Sequence, residues 1–180
     1  MLVKSFFAGF GGQGVLLMGY ALAYSAMKAE RHVTYLPAYG AEIRGGTANC
    51  TVVIADEEIA SPIASAPELV VVMNTPSLIK FQNYVASGGQ LLLNSSLIAQ
   101  RPGRSDVHVH PIPANELAEE LGNARVANMV MLGAFVRLSG LVSLQALSEH
   151  LLSVFGERKR DLVPLNQRAV QVGYDYREAV

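Results

Sequence analysis

From Val15 to Met27 the chain carries no charged residue, and its leucines, alanines, methionines and tyrosines leave no polar stripe at helical spacing. A helix without a polar face must be covered on both sides. This segment is therefore expected to lie between a sheet and further helices, although a subunit-facing role for part of its surface stays open, with Gly19, Ala23 and Met27 on one stripe of small or flexible residues. The run is too short for a bilayer and reads as a buried helix. Before it comes the apolar stretch Val3 to Gly9, and after it His32 to Leu36, which Pro37 is expected to stop. Strand, glycine turn, helix and strand make a first βαβ unit.

The aliphatic runs Ala48 to Ala55, Leu69 to Met73 and Gln90 to Asn94 suit strands covered on both faces, with Val107 to His110 a short last strand. Pro76 to Val85 is a predicted helix with proline in its first turn. After Pro113 the pattern turns helical: Asn115 to Leu121, Asn128 to Leu138, Ser143 to Phe155 and Leu165 to Tyr176. The expected fold is α/β, a doubly wound, mainly parallel, Rossmann-like sheet with a helical C-terminal segment. Its 180 residues suit a single domain over 1–180.

Composition narrows the function. Fourteen Lys and Arg against fifteen Asp and Glu give a net charge of −1, which offers no cationic excess for a nucleic-acid backbone. Charged residues make up only 16% of the chain against 51% hydrophobic ones, a balance expected of a surface partly covered by another chain. The one cysteine, Cys50, excludes an internal disulfide and any cluster held by this chain alone, and a reducing cytoplasm suits it. The first residues lack the pattern of a secretory signal, so a soluble, cytoplasmic chain is expected.

Two segments carry chemistry. Gly9-Phe10-Gly11-Gly12-Gln13-Gly14 lies between strand and helix, where glycines admit close backbone approach and helix-start amides attract an anion. Gly9, Gly11 and Gly14 fit the dinucleotide spacing, but Tyr35-Leu36-Pro37 offers no carboxylate for a ribose, so tight strand-to-helix packing is the better reading of the two. No Lys-Ser or Lys-Thr follows, which argues against a Walker-type ATPase. The second segment, Tyr39-Gly40-Ala41-Glu42-Ile43-Arg44-Gly45-Gly46-Thr47, falls on the carboxyl edge of the sheet beside the first. Tyr39 could stack, Arg44 could grip phosphate or carboxylate, and Glu42 could orient Arg44 or pair with it in a solvated loop.

His108 and His110 share one side of a strand, yet two imidazoles without a third ligand make a half-exposed strand face the better reading than a metal site. Cys50, within a buried strand, reads as an inert core residue.

These paired motifs, Gly-Phe-Gly-Gly-Gln-Gly-Val and Tyr-Gly-Ala-Glu-Ile-Arg-Gly-Gly, resemble the gamma subunit of 2-oxoacid:ferredoxin oxidoreductases, most of all the 2-oxoglutarate type. Ser61-Pro62, Asn128-Met129-Val130-Met131-Leu132-Gly133, Asn166, Ala169, Gly173 and Tyr174 extend the resemblance over essentially the whole chain. Ala41 stands where the family loop commonly has proline. The resemblance implies a noncatalytic subunit of a complex that decarboxylates a 2-oxo acid oxidatively, transfers the acyl group to coenzyme A and reduces ferredoxin. It implies catalytic alpha and beta subunits as partners, with a ferredoxin-like delta subunit among the candidates. Thiamine diphosphate, magnesium and iron–sulfur clusters would belong to those partners. Coenzyme A or a partner subunit would meet this chain at Gly9, Gly11, Gly12, Gln13, Gly14, Tyr39, Gly40, Glu42, Arg44, Gly45, Gly46 and Asn128. A free-standing dinucleotide-binding oxidoreductase and a purely structural assembly module are the competing readings.

Overall fold

The computed structural model describes residues 1–39 and 46–178. Six strands, β1 (Leu2–Phe10), β2 (His32–Tyr39), β3 (Thr47–Ala55), β4 (Leu69–Val72), β5 (Gln90–Asn94) and β6 (His108–Ile112), form one sheet in the order β2-β3-β1-β4-β5-β6. Strands β1, β4, β5 and β6 run parallel, whereas β3 lies antiparallel between β1 and β2. The expected doubly wound, mainly parallel sheet is present, with one departure. Strand β2 is not the neighbour of β1, because β3 is inserted between them as half of a hairpin with β2. A second correction concerns Pro37. The strand runs through it to Tyr39, with Pro37 opposite Cys50, since β2 is an edge strand and an edge has a side on which the missing N–H has no partner to lose.

Adjacent residues of β1 show why the sheet is buried on both sides. Phe7 packs its ring 5.0 Å from that of Phe135, and Phe6 packs 4.9 Å from Phe81 on the opposite face. The Phe6 side carries α2 (Thr75–Phe81), capped by the Asn74 side chain, which accepts from the Ser77 N–H at 2.9 Å. The Phe7 side carries α1 (Val15–Lys28), α3 (Ala114–Glu120), α4 (Ala127–Ser139), α5 (Leu144–Phe155) and α6 (Val163–Asp175). Helix α1 packs on β1, β2 and β3 from one side and on α5 from the other, with Tyr20 and Met27 left exposed. Its Gly19 serves an approach within the chain, because a methyl group there would overlap the Cys50 sulfur on β3. No helix among the described residues is long and apolar enough to cross a membrane.

The deepest helix is α4, buried from Ala127 to Val136. It meets α6 backbone to backbone: a Cβ on Gly133 would collide with the Val170 carbonyl, and one on Gly173 with the Val130 carbonyl. Main chain cannot swing aside as a flexible side chain can, so added volume here must separate the helices. Gly133→Ala is expected to lower stability by ~3 kcal/mol or more, the upper end of overpacking costs. Gly103→Ala, which meets only the Gln82 side chain at 3.7 Å, should stay within ~0.5 kcal/mol of the parent. Urea unfolding of the two variants separates these outcomes.

Candidate functional site at the carboxyl edge of the sheet

Strands β1 and β4 lie side by side where the chain's direction of travel through the sheet reverses, the place at which open α/β sheets form a crevice beyond their carboxyl ends. The glycine turn closes one side of it. Gly12 and Gly14 have φ of 99° and 74°, in the left-handed region that favours glycine, and Gly14 caps α1 with no side-chain cap. A Cβ at Gly9 would sit 2.8 Å from Val15 Cγ1 and 3.1 Å from Met73 Cβ, so this glycine permits the strand-to-helix contact. The Gly11 N–H donates to the Gly46 carbonyl at 3.1 Å, which fastens the turn to the start of β3.

Gln13 ties that turn to its neighbours. Its Oε1 accepts from the Phe10 N–H at 2.8 Å and from Asn74 Nδ2 at 2.6 Å, and its Nε2 donates to the Met73 carbonyl at 3.4 Å. The same carbonyl accepts from Asn94 Nδ2 at 3.4 Å, and Asn94 Nδ2 also donates to Asn115 Oδ1 at 2.8 Å. Amide side chains thus run across the ends of β1, β4 and β5 through one shared carbonyl. Because they bear no charge, burying them together costs far less than burying ions, provided their hydrogen bonds are made. Asn128, in the first turn of α4 and 6% exposed, completes the wall with Nδ2 3.4 Å from the Gly14 carbonyl.

Of the residues singled out from sequence, Gly9, Gly11, Gly12, Gln13, Gly14, Gly46 and Asn128 meet at this edge. Tyr39 ends β2 with three quarters of its surface exposed, and Gly40, Glu42, Arg44 and Gly45 lie outside the described residues. Sequence reasoning passed over Asn74, Asn94, Asn115 and Arg125. A signal for the first two was available: each follows an aliphatic run, Leu69 to Met73 and Leu91 to Leu93, where a parallel strand delivers its last residue to the carboxyl edge.

Other groups are spent elsewhere. Cys50 is buried in β3, its thiol pushed up to about 12 by burial, and its Sγ donates to the Val15 carbonyl at 3.5 Å. His110 lies 2.7 Å from Gln90 Oε1, with its pKa lowered by burial and by His108. Among the described residues no three metal-binding side chains gather. Among the described residues, the polar side chains that line the crevice are amides and one guanidinium, a set chemically able to hold and orient an anion, with no carboxylate, thiol or imidazole for proton transfer.

A Rossmann-like α/β chain with a glycine-turn crevice at the carboxyl edge of its sheet is the class that the fold defines. The chain belongs to the pyruvate ferredoxin/flavodoxin oxidoreductase family, whose model matches residues 4–176. It is 40% identical over 171 residues to ketoisovalerate oxidoreductase subunit VorA of Methanothermobacter thermautotrophicus, a match covering 94% of this chain and 35% of that protein. The chain therefore spans about a third of that relative's length. With 2-oxoglutarate synthase subunit KorC of Methanothermobacter marburgensis it shares 36% identity over 149 residues, 79% of this chain and 80% of the relative. The crystal structure of the keto/oxoacid ferredoxin oxidoreductase gamma subunit from Geobacter sulfurreducens superposes with a TM-score of 0.83 at 28% identity, covering 96% of both chains.

The turn geometry makes a graded expectation. Alanine at position 12 meets only backbone strain, whereas alanine at position 14 meets strain and the Asn128 side chain as well. Gly14→Ala should cost ~1–2 kcal/mol more than Gly12→Ala in urea unfolding, the difference being the overpacking against Asn128.

Proposed function

We propose that this chain is the noncatalytic gamma subunit of a cytoplasmic 2-oxoacid:ferredoxin oxidoreductase, and that its carboxyl-edge crevice shapes the approach of coenzyme A. In the complete reaction a 2-oxo acid, coenzyme A and two oxidised ferredoxins give an acyl-CoA, carbon dioxide, a proton and two reduced ferredoxins. The observation that carries the reading is a crevice built, among the described residues, of amides, glycine backbone and one arginine in a chain of this family: groups suited to hold an anionic cofactor without acting on it.

The chemical step belongs to partners on this reading. Thiamine diphosphate with magnesium, held by the partners, would supply the nucleophilic carbon that lets the 2-oxo acid lose its carboxylate as carbon dioxide, and iron–sulfur clusters there would accept the electrons. The single cysteine here is buried in β3, so it cannot contribute to a four-thiolate cluster set, and alpha and beta subunits are the proposed holders of these groups. The chain's own residues bind and exclude. Gln13 and Asn74 hold the glycine turn in shape, Asn128 backs it, and Arg44 in the adjoining segment is proposed to meet an anionic part of coenzyme A.

2-Oxoglutarate, pyruvate, branched-chain and aryl oxo acids are the candidate substrates. The glycine-turn and loop motifs favour 2-oxoglutarate, while the 40% identity to a ketoisovalerate oxidoreductase subunit over 94% of the chain favours a branched-chain substrate. Co-purification from the native source followed by an oxo-acid panel decides among them. In the same complex, Arg44→Ala is expected to raise the apparent KM for coenzyme A severalfold while assembly is retained. An unchanged KM with intact assembly would remove that role from Arg44. Saturable NAD or FAD binding by the purified chain would favour the free-standing oxidoreductase instead.

A further inference from the structure

The sheet ends on one side at β2, and the direction of that strand's free main-chain groups follows from the bonds its neighbours make. Glu68 and Met73 donate their N–H groups to the Lys4 and Ala8 carbonyls, so the even residues of β1 bond towards β4 and the odd ones towards β3. Phe7 opposes Cys50, which spends the even residues of β3 on β1 and its odd residues on β2. Thr51 opposes Leu36, so the even residues of β2 face β3. Val33, Tyr35, Pro37 and Tyr39 therefore turn their main-chain groups outward, and among the described residues no strand meets them.

An edge of this kind usually carries charged residues or is kept short. Strand β2 has eight residues and no Lys, Arg, Asp or Glu among them. On one face of it Leu36 is 42% exposed; on the other Tyr20 of α1, 41% exposed, packs edge-on against Tyr35 with ring centroids 5.9 Å apart. Helix α1 is itself uncharged as far as Met27, so the apolar surface continues from strand to helix.

The free groups of this edge are self-complementary. We propose that β2 pairs antiparallel with β2 of a second copy of this chain, about a two-fold axis at Thr34, which joins the two sheets into one. In that register Val33 and Tyr35 of the second copy exchange both N–H···O bonds, and the symmetry repeats the exchange. The ladder ends cleanly, because the next pair is Arg31 with Pro37: the Arg31 N–H is spent on the Ala26 carbonyl and Pro37 has none. Moving the axis one residue either way sets Arg31 against Tyr35 or Pro37 against Val33, and a carbonyl inside the ladder then finds no donor. Both ends are thus set by this chain's own residues, and neither copy brings a like charge to the axis. The same axis lays the two Tyr20–Tyr35 pairs side by side. None of this depends on the function proposed for the carboxyl-edge crevice.

Analytical ultracentrifugation of the purified full chain tests the pairing, with the parent expected to sediment as a dimer. Thr34→Lys sets two like charges face to face at the axis, and so does Thr34→Glu. Each alone should weaken the dimer about fivefold or more at low salt. An equimolar mixture of the two variants should regain the parent's association, since Lys then faces Glu. Should either variant fail to fold, the exposed cross-axis positions His32 and Leu36 replace Thr34, with His32→Lys and Leu36→Lys in one chain and His32→Glu and Leu36→Glu in the other. A parent that stays monomeric at about 100 μM, the outcome if this edge receives a strand from a different subunit, would overturn the proposal. So would a dimer that the substitutions leave untouched, or one that they weaken without recovery in the mixture.

Discussion

Helices α4 and α6 touch backbone to backbone where Gly133 faces Val170 and Gly173 faces Val130, and the place of the crevice depends on that approach. With no side chain to hold them apart, the two helices bring a layer of apolar residues down onto the sheet, and Phe135 reaches Phe7 on β1. The same helix begins at the carboxyl edge, so the depth at which its middle packs fixes where its first turn stands. Asn128 meets the Gly14 carbonyl as a result, and Arg125, one turn earlier, is delivered to the mouth of the crevice. A local packing choice near one end of the chain thus sets the geometry of a turn more than a hundred residues away.

The amide chain across the strand ends has a related role. Glycines at positions 9 to 14 give the backbone freedom, and a free turn would sample many shapes. Gln13 restricts it by accepting from Phe10 and Asn74 and by donating to the Met73 carbonyl. Asn74 in turn caps α2, which packs on the opposite face of the sheet. Both helical layers are thereby coupled to one turn by neutral hydrogen bonds, which need no counter-ion, and among the described residues Arg125 is the charged one that lines the crevice.

Much of this was legible in the residue order. The uncharged stretch after Gly14 required a covered helix, the aliphatic runs required strands buried on both faces, and Ser143 marked the start of α5, where its hydroxyl accepts from Ala146. What periodicity does not encode is which strand lies beside which. The insertion of β3 between β1 and β2 follows from long-range pairing, and Pro37 does not stop β2 because an edge strand tolerates it. For the site, glycine spacing marked the turn and the family resemblance marked Asn128. Arg125 and Asn115 escaped because each is unremarkable in its own segment and acquires meaning only through the tertiary approach of α3 and α4 to the turn.

The account's central claim is that this chain furnishes a wall of a reaction chamber and relies on other subunits for the chemistry. The most direct measurement follows reduction of a low-potential dye with coenzyme A and a 2-oxo acid, first with the chain purified alone and then after its co-purifying subunits are restored. The account predicts no turnover in the first case and oxo-acid-dependent reduction in the second. Efficient turnover by the homogeneous chain alone would contradict it.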